Sequence, residues 1–151
     1  GAEVEERPKD KEDGRLTDPS GRRAILEVKG RTGPAKLADI RQLHQWVGDA
    51  IAEEDWKGKG ILIVNAFADM PLDQRAEPFP TNSVRPAERF DQCLLTTTQL
   101  FTAIRSQQKG ELDMNTFWNA VFQTVGVCIL PDLGAPSKKD GEGSATSALS
   151  V

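Results

Sequence analysis

The sequence contains only two cysteines and one histidine in 151 residues, so it offers few of the side chains that hold structural zinc. Cys93 and Cys128 lie in the apolar runs QCLL and VGVCIL, without the CxxC or Cys/His spacing of a zinc site. We therefore predict two buried, reduced thiols in a cytoplasmic protein. The single histidine, His44, lies near the edge of an apolar helix stripe, and we interpret it as a packing residue.

Long hydrophobic runs are also absent. No stretch approaches the roughly 20 apolar residues that cross a bilayer, and the first residues do not resemble a secretory signal, so we expect no membrane association. The sequence has no GxxxxGK[ST] phosphate loop. Ser83 and Ser106 have no base nearby in sequence, so nothing supports nucleophilic catalysis.

What is present fits a soluble globular domain, with 38% apolar and 28% charged residues. We expect one domain over residues 1–133, which could be excised from a longer protein, and a disordered Gly- and Ser-rich tail over 134–151. The net charge of -4 argues against a nucleic-acid binder as a whole. Residues 22–41, however, carry six basic and two acidic side chains, which fits either a solvated surface or a polyanion patch.

The pattern of apolar and polar residues predicts an α/β fold with a mixed central sheet flanked by helices. The segments GRLTD and RRAILEVK flank the turn PSG, so residues 14–29 are predicted to form a β-hairpin. Apolar residues recur at three- and four-residue spacing over 35–55, which predicts a helix. The run ILIVNAF over 61–67 predicts a strand buried on both faces.

The second half of the chain begins with a proline-rich segment. Residues 68–88 contain four prolines and predict a long loop, which in a compact domain is usually functional or mobile. Beyond it we predict a strand, a helix and a helix with an aromatic face, over 91–97, 99–108 and 114–127.

The strand AILEVK ends on an acid and a base two positions apart. Glu27 and Lys29 therefore share one face of the strand, either as a surface ion pair or as part of a site. Mg²⁺ binds one or two carboxylates together with waters and a substrate phosphate. A lysine beside the metal can orient an attacking water and stabilise the growing negative charge.

A metal site of this kind needs a second carboxylate from a neighbouring strand. Asp13, just before the first hairpin arm, is the candidate. Asp10, Glu12 and Asp18 are alternatives that the sequence leaves open.

These residues resemble a known family. Asp13 followed by the segment Glu27–Lys29 is similar to the PD-(D/E)xK signature of restriction-endonuclease-like nucleases. Gln42 and Trp46 resemble the Q-x-x-x-Y motif of the RecB-type branch, with tryptophan in place of tyrosine. The resemblance implies the restriction-endonuclease-like sheet and Mg²⁺- or Mn²⁺-dependent hydrolysis of phosphodiester bonds, chiefly in DNA, in a bacterial repair or defence protein.

The resemblance also implies a role for each matching residue. Asp13 and Glu27 would hold the metal, with the Val28 carbonyl as a third ligand, while Lys29 would position water and Gln42 would orient the site. Phosphate contacts could come from three basic residues, Arg31, Lys36 and Arg41. Partners would be DNA and either a second copy of the chain or the rest of a larger protein.

Two other functions stay open. The chain could be a catalytically inactive domain of the same fold that binds a nucleic acid or a protein. It could also be an interaction domain using the proline-rich loop and the last helix, which would require an exposed apolar patch there.

Overall fold

The structure, a computed structural model, describes residues 1–130. Its strands are β1 (Glu3–Glu6), β2 (Gly14–Thr17), β3 (Arg23–Gly30), β4 (Lys59–Asn65), β5 (Cys93–Thr96) and β6 (Gly126–Val127). Its helices are α1 (Leu37–Glu54), α2 (Thr81–Arg89), α3 (Thr97–Gln108) and α4 (Met114–Gln123), with a 3-10 turn at Leu72–Gln74. The predicted domain end at 133 and the predicted tail over 134–151 lie outside the described residues.

The six strands form one sheet in the order β1-β2-β3-β4-β5-β6. The pairs among β1, β2 and β3 are antiparallel, and those from β3 to β6 are parallel. The predicted α/β class with a mixed central sheet is therefore confirmed, and so is the predicted hairpin, in which Leu16 pairs with Ala24. Because the parallel strands run in one direction, their carboxyl ends lie at a single edge of the sheet.

Helices cover both faces of the sheet. One buried cluster joins Ile25, Leu62 and Leu94 to Leu43 of α1 and Ala87 of α2. A second cluster lies on the opposite face and includes apolar residues of α3 and α4. The strand β4 contributes to both clusters, which confirms the prediction of a strand buried on both faces.

An aromatic stack joins α1 to the residue that follows α2. The rings of His44 and Phe90 lie with their centroids 3.8 Å apart and their planes 7° from parallel. The interpretation of His44 as a packing residue is therefore confirmed.

The prediction of a loop over 68–88 is wrong in its second half, which contains α2. Pro80 lies at the N-cap, where a missing N–H costs no helix hydrogen bond. Pro86 lies inside the helix, and packing outweighs its cost. Ser83 is buried and donates a hydrogen bond to the Ala35 carbonyl at 3.3 Å, and Ala87 is buried against α1.

The predicted helix over 114–127 is also too long, because α4 ends at Gln123 and the two-residue strand β6 follows. Gly126 has a φ of 91°, a left-handed backbone conformation that favours glycine. Both cysteines are buried, as predicted. Among residues 1–130, no helix combines the length and apolar character needed to traverse a bilayer.

Candidate active site

Asp13 lies immediately before β2, where the pairing of β2 with β3 ends at Gly14 opposite Leu26. Its Oδ2 accepts a hydrogen bond of 2.7 Å from the backbone N–H of Val28. The Asp13 carboxylate thus accepts the hydrogen bond that a paired strand would otherwise accept at the end of β3. This bond holds Asp13 next to the segment that carries Glu27 and Lys29.

Glu27 is a buried carboxylate with one spare oxygen. Its side chain is 3% exposed, and its Oε1 forms an ion pair with Lys29 Nζ. The other oxygen, Oε2, is buried and has no hydrogen-bond partner. The Lys29 side chain is 24% exposed, so its ammonium group lies between the buried carboxylate and the solvent.

The electrostatics of Glu27 favour a further cation. Burial raises the pKa of the Glu27 carboxyl, and this effect outweighs the opposing hydrogen bond and charge of Lys29. The charge of Asp13 repels that of Glu27 and raises its pKa further, whereas a hydrogen bond from the Asp13 backbone lowers it. A divalent cation between two such groups would reverse this repulsion.

The oxygen donors fit Mg²⁺ better than a softer metal. Glu27 Oε2 is unpartnered, and Val28 directs its carbonyl to the same side of β3 as the N–H that binds Asp13. Within the described part of the chain, no group of three or more His, Cys, Asp or Glu side chains could hold a metal ion. Two carboxylates completed by water and phosphate are nevertheless an ordinary set for Mg²⁺.

Two of the alternative acids are already engaged. Glu12 is buried, and its Oε1 lies 2.5 Å from Arg15 Nε. Asp18 Oδ2 lies 2.6 Å from Arg22 Nη2, and its Oδ1 accepts the Arg22 backbone N–H at 2.7 Å. Asp10 is exposed in a turn. Asp13, whose carboxylate accepts the Val28 N–H, is thus the acid that the fold places beside Glu27.

Gln42 is not brought into the cluster. It is exposed on α1, and its side chain forms no hydrogen bond with the described residues. Trp46, four positions later, is half-buried against the core beneath α1. The proposed orienting role of Gln42 therefore stays a prediction.

The three basic residues proposed to contact phosphate differ in their surroundings. Lys36 and Arg41 are exposed, at the N-cap and in the second turn of α1. Arg31 instead pairs with the buried Asp39, whose Oδ2 lies 3.2 Å from Arg31 Nε. Asp39 also accepts the Lys36 backbone N–H at 3.0 Å and so caps α1.

Asp39 was missed by the sequence analysis. Its signal was available, because an acidic side chain at the third helical position is typical of a capping box. Its partner Arg31 could not be foreseen, since the pairing depends on the path of the loop between β3 and α1.

Two solved structures are similar to part of the chain. A repair endonuclease from Pyrococcus abyssi matches with a TM-score of 0.48 and 18% identity over 64% of this chain and 38% of that chain. A complex of EndoMS with double-stranded DNA matches with a TM-score of 0.47 and 21% identity over 64% of this chain and 36% of that one. The chain thus matches little more than a third of the length of each.

No protein-family model and no curated protein matches the sequence.

Proposed function

We propose that this chain is a metal-dependent nuclease domain that hydrolyses phosphodiester bonds, with DNA as its main substrate. One observation carries the proposal: Asp13 is fixed on the Val28 N–H beside a buried Glu27 whose Oε2 lacks a partner, with the Lys29 ammonium group on the other oxygen. The resemblance to PD-(D/E)xK nucleases of the RecB-type branch supports the choice of DNA. A bacterial repair or defence role rests on that resemblance alone.

Asp13 and Glu27 would hold the metal, Mg²⁺ or Mn²⁺, with the Val28 carbonyl at the same edge of β3. When bound, the ion supplies Lewis acidity to the phosphate and lowers the pKa of a coordinated water. Because Glu27 is buried, solvent water has little access to one side of the proposed metal site.

Lys29 has a separate task. Its Nζ forms an ion pair with Glu27 Oε1, and a lysine ammonium group donates hydrogen bonds and accepts none. It would orient the attacking water and stabilise the negative charge that grows on the phosphate as one P–O ester bond breaks. The exposed Lys36 and Arg41 would hold the DNA backbone near this centre.

A catalytically inactive binding module is the second candidate. The observation that favours it is the Glu27–Lys29 ion pair itself, because the two side chains can satisfy one another without a metal. This candidate predicts DNA or protein binding without cleavage.

Cleavage assays separate the two candidates. Circular and linear DNA, single- and double-stranded, would be incubated with Mg²⁺ or Mn²⁺ and the wild type, Asp13→Asn or Lys29→Ala. We expect cleavage by the wild type and a loss of about a hundred-fold or more in each variant. The exposed neighbours Asp10 and Lys9 provide the controls Asp10→Asn and Lys9→Ala, which should keep full activity. Folded wild type that cuts none of these substrates would contradict the nuclease proposal.

A further inference from the structure

A cavity of about 200 Å³ opens at the carboxyl ends of β4 and β5. Its walls are mostly apolar, with one guanidinium and threonine hydroxyls among them. The lining residues that matter below are Val64, Phe67, Leu72, Arg75, Ala76 and Thr98. None of them was singled out by the sequence.

The cavity lies one strand away from the candidate active site. Val64 is the direct partner of Lys29 in the parallel register, so the two side chains are neighbours on the same face of the sheet. Thr96, which also lines the cavity, is in turn the partner of Val64 on β5. Ligands of open α/β sheets bind outside the carboxyl ends of parallel strands, where this cavity opens.

The walls of the cavity are held in place. Arg75 donates from Nη1 to Asn65 Oδ1 and from Nε to the Met70 carbonyl, each at 3.0 Å. Phe67 has a φ of 51°, a left-handed conformation that is unusual for a bulky residue. Its N–H donates to the Gly33 carbonyl at 3.1 Å, which ties the strained turn to the loop after β3. Strain of this kind is typical of functional sites.

The size of the cavity favours a single ring system. Ordinary small-molecule sites occupy roughly 300–1,000 Å³, which is larger than this cavity. Apolar walls such as Phe67 and Leu72 suit the faces of a planar ring, and Arg75 suits the nitrogen and oxygen acceptors at its edge.

The charges around the cavity favour a neutral occupant over a phosphate, because three acidic residues of the loop offset the single guanidinium of Arg75. Asp69, Asp73 and Glu77 flank the lining residues in sequence and are exposed. Their charges repel a phosphate but leave a neutral ring unaffected. A shallower groove shares Leu72, Arg75 and Thr98 with the cavity and reaches the exposed ring of Phe101, giving the ring a path to the solvent.

We propose that this cavity receives one unstacked nucleobase of the DNA strand whose backbone lies over Asp13, Glu27 and Lys29. The inference rests on the proposed nuclease function, since that function supplies the DNA. Unstacking is least costly for a base that is already unpaired. The domain should therefore prefer single strands, or duplexes with an unpaired base, over a fully paired duplex.

Fluorescence anisotropy without added metal tests the proposal on two labelled duplexes, one carrying a single unpaired base and one carrying an abasic site in its place. We expect the wild type to bind the first about 5- to 150-fold more tightly, the range for stacking of one base. Ala76→Trp fills the cavity and should abolish this preference. Ala68→Trp is the matched control, because Ala68 is exposed in the same loop and does not line the cavity.

Equal affinity of the wild type for the two duplexes would overturn the proposal, and so would a preference that survives in folded Ala76→Trp. A protein side chain as the natural occupant would give such equal affinity. Cleavage of the same duplexes with Mg²⁺ tests the nuclease function separately. Cleavage without base preference removes only the cavity proposal, whereas base preference without cleavage removes only the nuclease proposal.

Discussion

At the scale of single residues, the Glu27 carboxylate supplies a ligand to the proposed metal site but is destabilising as a buried charge. Its pKa is raised in the folded protein, which means that the folded environment penalises its charged form in spite of Lys29. A carboxylate kept for structural reasons alone would be expected to gain from its partner. The charge of Glu27 therefore lowers the stability of the fold at neutral pH, and the ion pair with Lys29 does not offset this cost.

We expect Glu27→Gln to unfold at the same temperature as the wild type or a higher one at pH 7 in the presence of a chelator. Neutralising the side chain removes the penalty on its charge, while cleavage activity should fall about a hundred-fold or more. Thermal unfolding followed by circular dichroism measures the first effect.

Glu12→Gln provides the comparison, because Glu12 is equally buried and its partner is the buried guanidinium of Arg15, whereas the partner of Glu27 is the part-exposed Lys29. We expect this variant to lose about 1 to 3 kcal/mol of stability. If Glu27→Gln loses as much, the Glu27–Lys29 pair is structural.

Among the site residues, those close in sequence were the predictable ones. Glu27 and Lys29 share a face because side chains alternate along any strand. The hairpin brings the segment before β2 close to them, but the choice of Asp13 among its neighbouring acids came from the structure. The ion pair of Arg31 with Asp39 and the fixed position of Arg75 depend on which loops meet in space. No local sequence pattern encodes these contacts.

At the scale of elements, the contact between α1 and the sheet depends on a glycine in β4. A Cβ added to Gly60 would lie 3.1 Å from Leu43 Cγ and 3.2 Å from Gln92 Cγ. Leu43 and Gln92 are fully buried, so neither can move freely. The close approach of α1 to β4 therefore favours glycine at this position.

We expect Gly60→Ala to lower the free energy of unfolding by about 1 to 3 kcal/mol, because it overpacks the interface between α1 and β4. Gly48→Ala is the matched control within α1, where a Cβ meets nothing within 4 Å. That variant should gain about 0.5 to 1 kcal/mol, since glycine weakens a helix interior. Urea denaturation of both variants measures the difference, and equal effects would contradict the packing argument.

The hairpin turn between β2 and β3 should weaken in acid. Burial raises the pKa of Asp18, but the hydrogen bonds and charge of Arg22 outweigh burial and hold that pKa below its ordinary value of about 3.8. The stabilisation by Asp18 is thus complete above that value and is lost as the pH falls through the lowered pKa. Asp18→Asn should cost about 1 to 3 kcal/mol at pH 6.

Urea denaturation at pH 6 and in the acid range measures this effect, and the gap between wild type and Asp18→Asn should narrow as the pH falls. The exposed Asp10 gives the control Asp10→Asn, for which no such gap is expected. A gap that persists in acid would show that the carboxylate charge of Asp18 is not the cause.

Most elements were predictable from periodicity, including the hairpin, α1 and β4. The helix α2 was not, because Pro80 at its N-cap and Pro86 inside it favour a loop. What stabilises α2 is the burial of Ser83 and Ala87 against distant parts of the chain. Tertiary contacts of this kind are absent from any local window of sequence.

At the scale of the whole molecule, a net charge of -4 coexists with a basic cluster, the six lysines and arginines of residues 22–41. The proposed DNA binding should therefore depend on few phosphate contacts, and those contacts should be localised. For duplex DNA, the slope of log affinity against log salt falls by about 0.9 for each phosphate contact removed. Arg31 should contribute little to this slope, because Asp39 already neutralises it.

We expect the double variant Lys36→Ala/Arg41→Ala to lower that slope by about 1.8, because both side chains are exposed at the start of α1. Titrations of labelled duplex at several salt concentrations measure the slope. Lys57→Ala, an exposed lysine outside the basic cluster, should leave it unchanged. An unchanged slope in the double variant would place the DNA on another surface.

The hydrogen bond between Asp13 and Val28 also has a consequence for how the protein folds. It joins residues only 15 positions apart through a single hairpin, so closing this loop costs little chain entropy. The parallel pairing of β3 with β4 must instead close a much longer loop, across α1. The acids and the lysine therefore belong to the most local pairing of the sheet, and we expect their mutual arrangement to form before the parallel strands are joined.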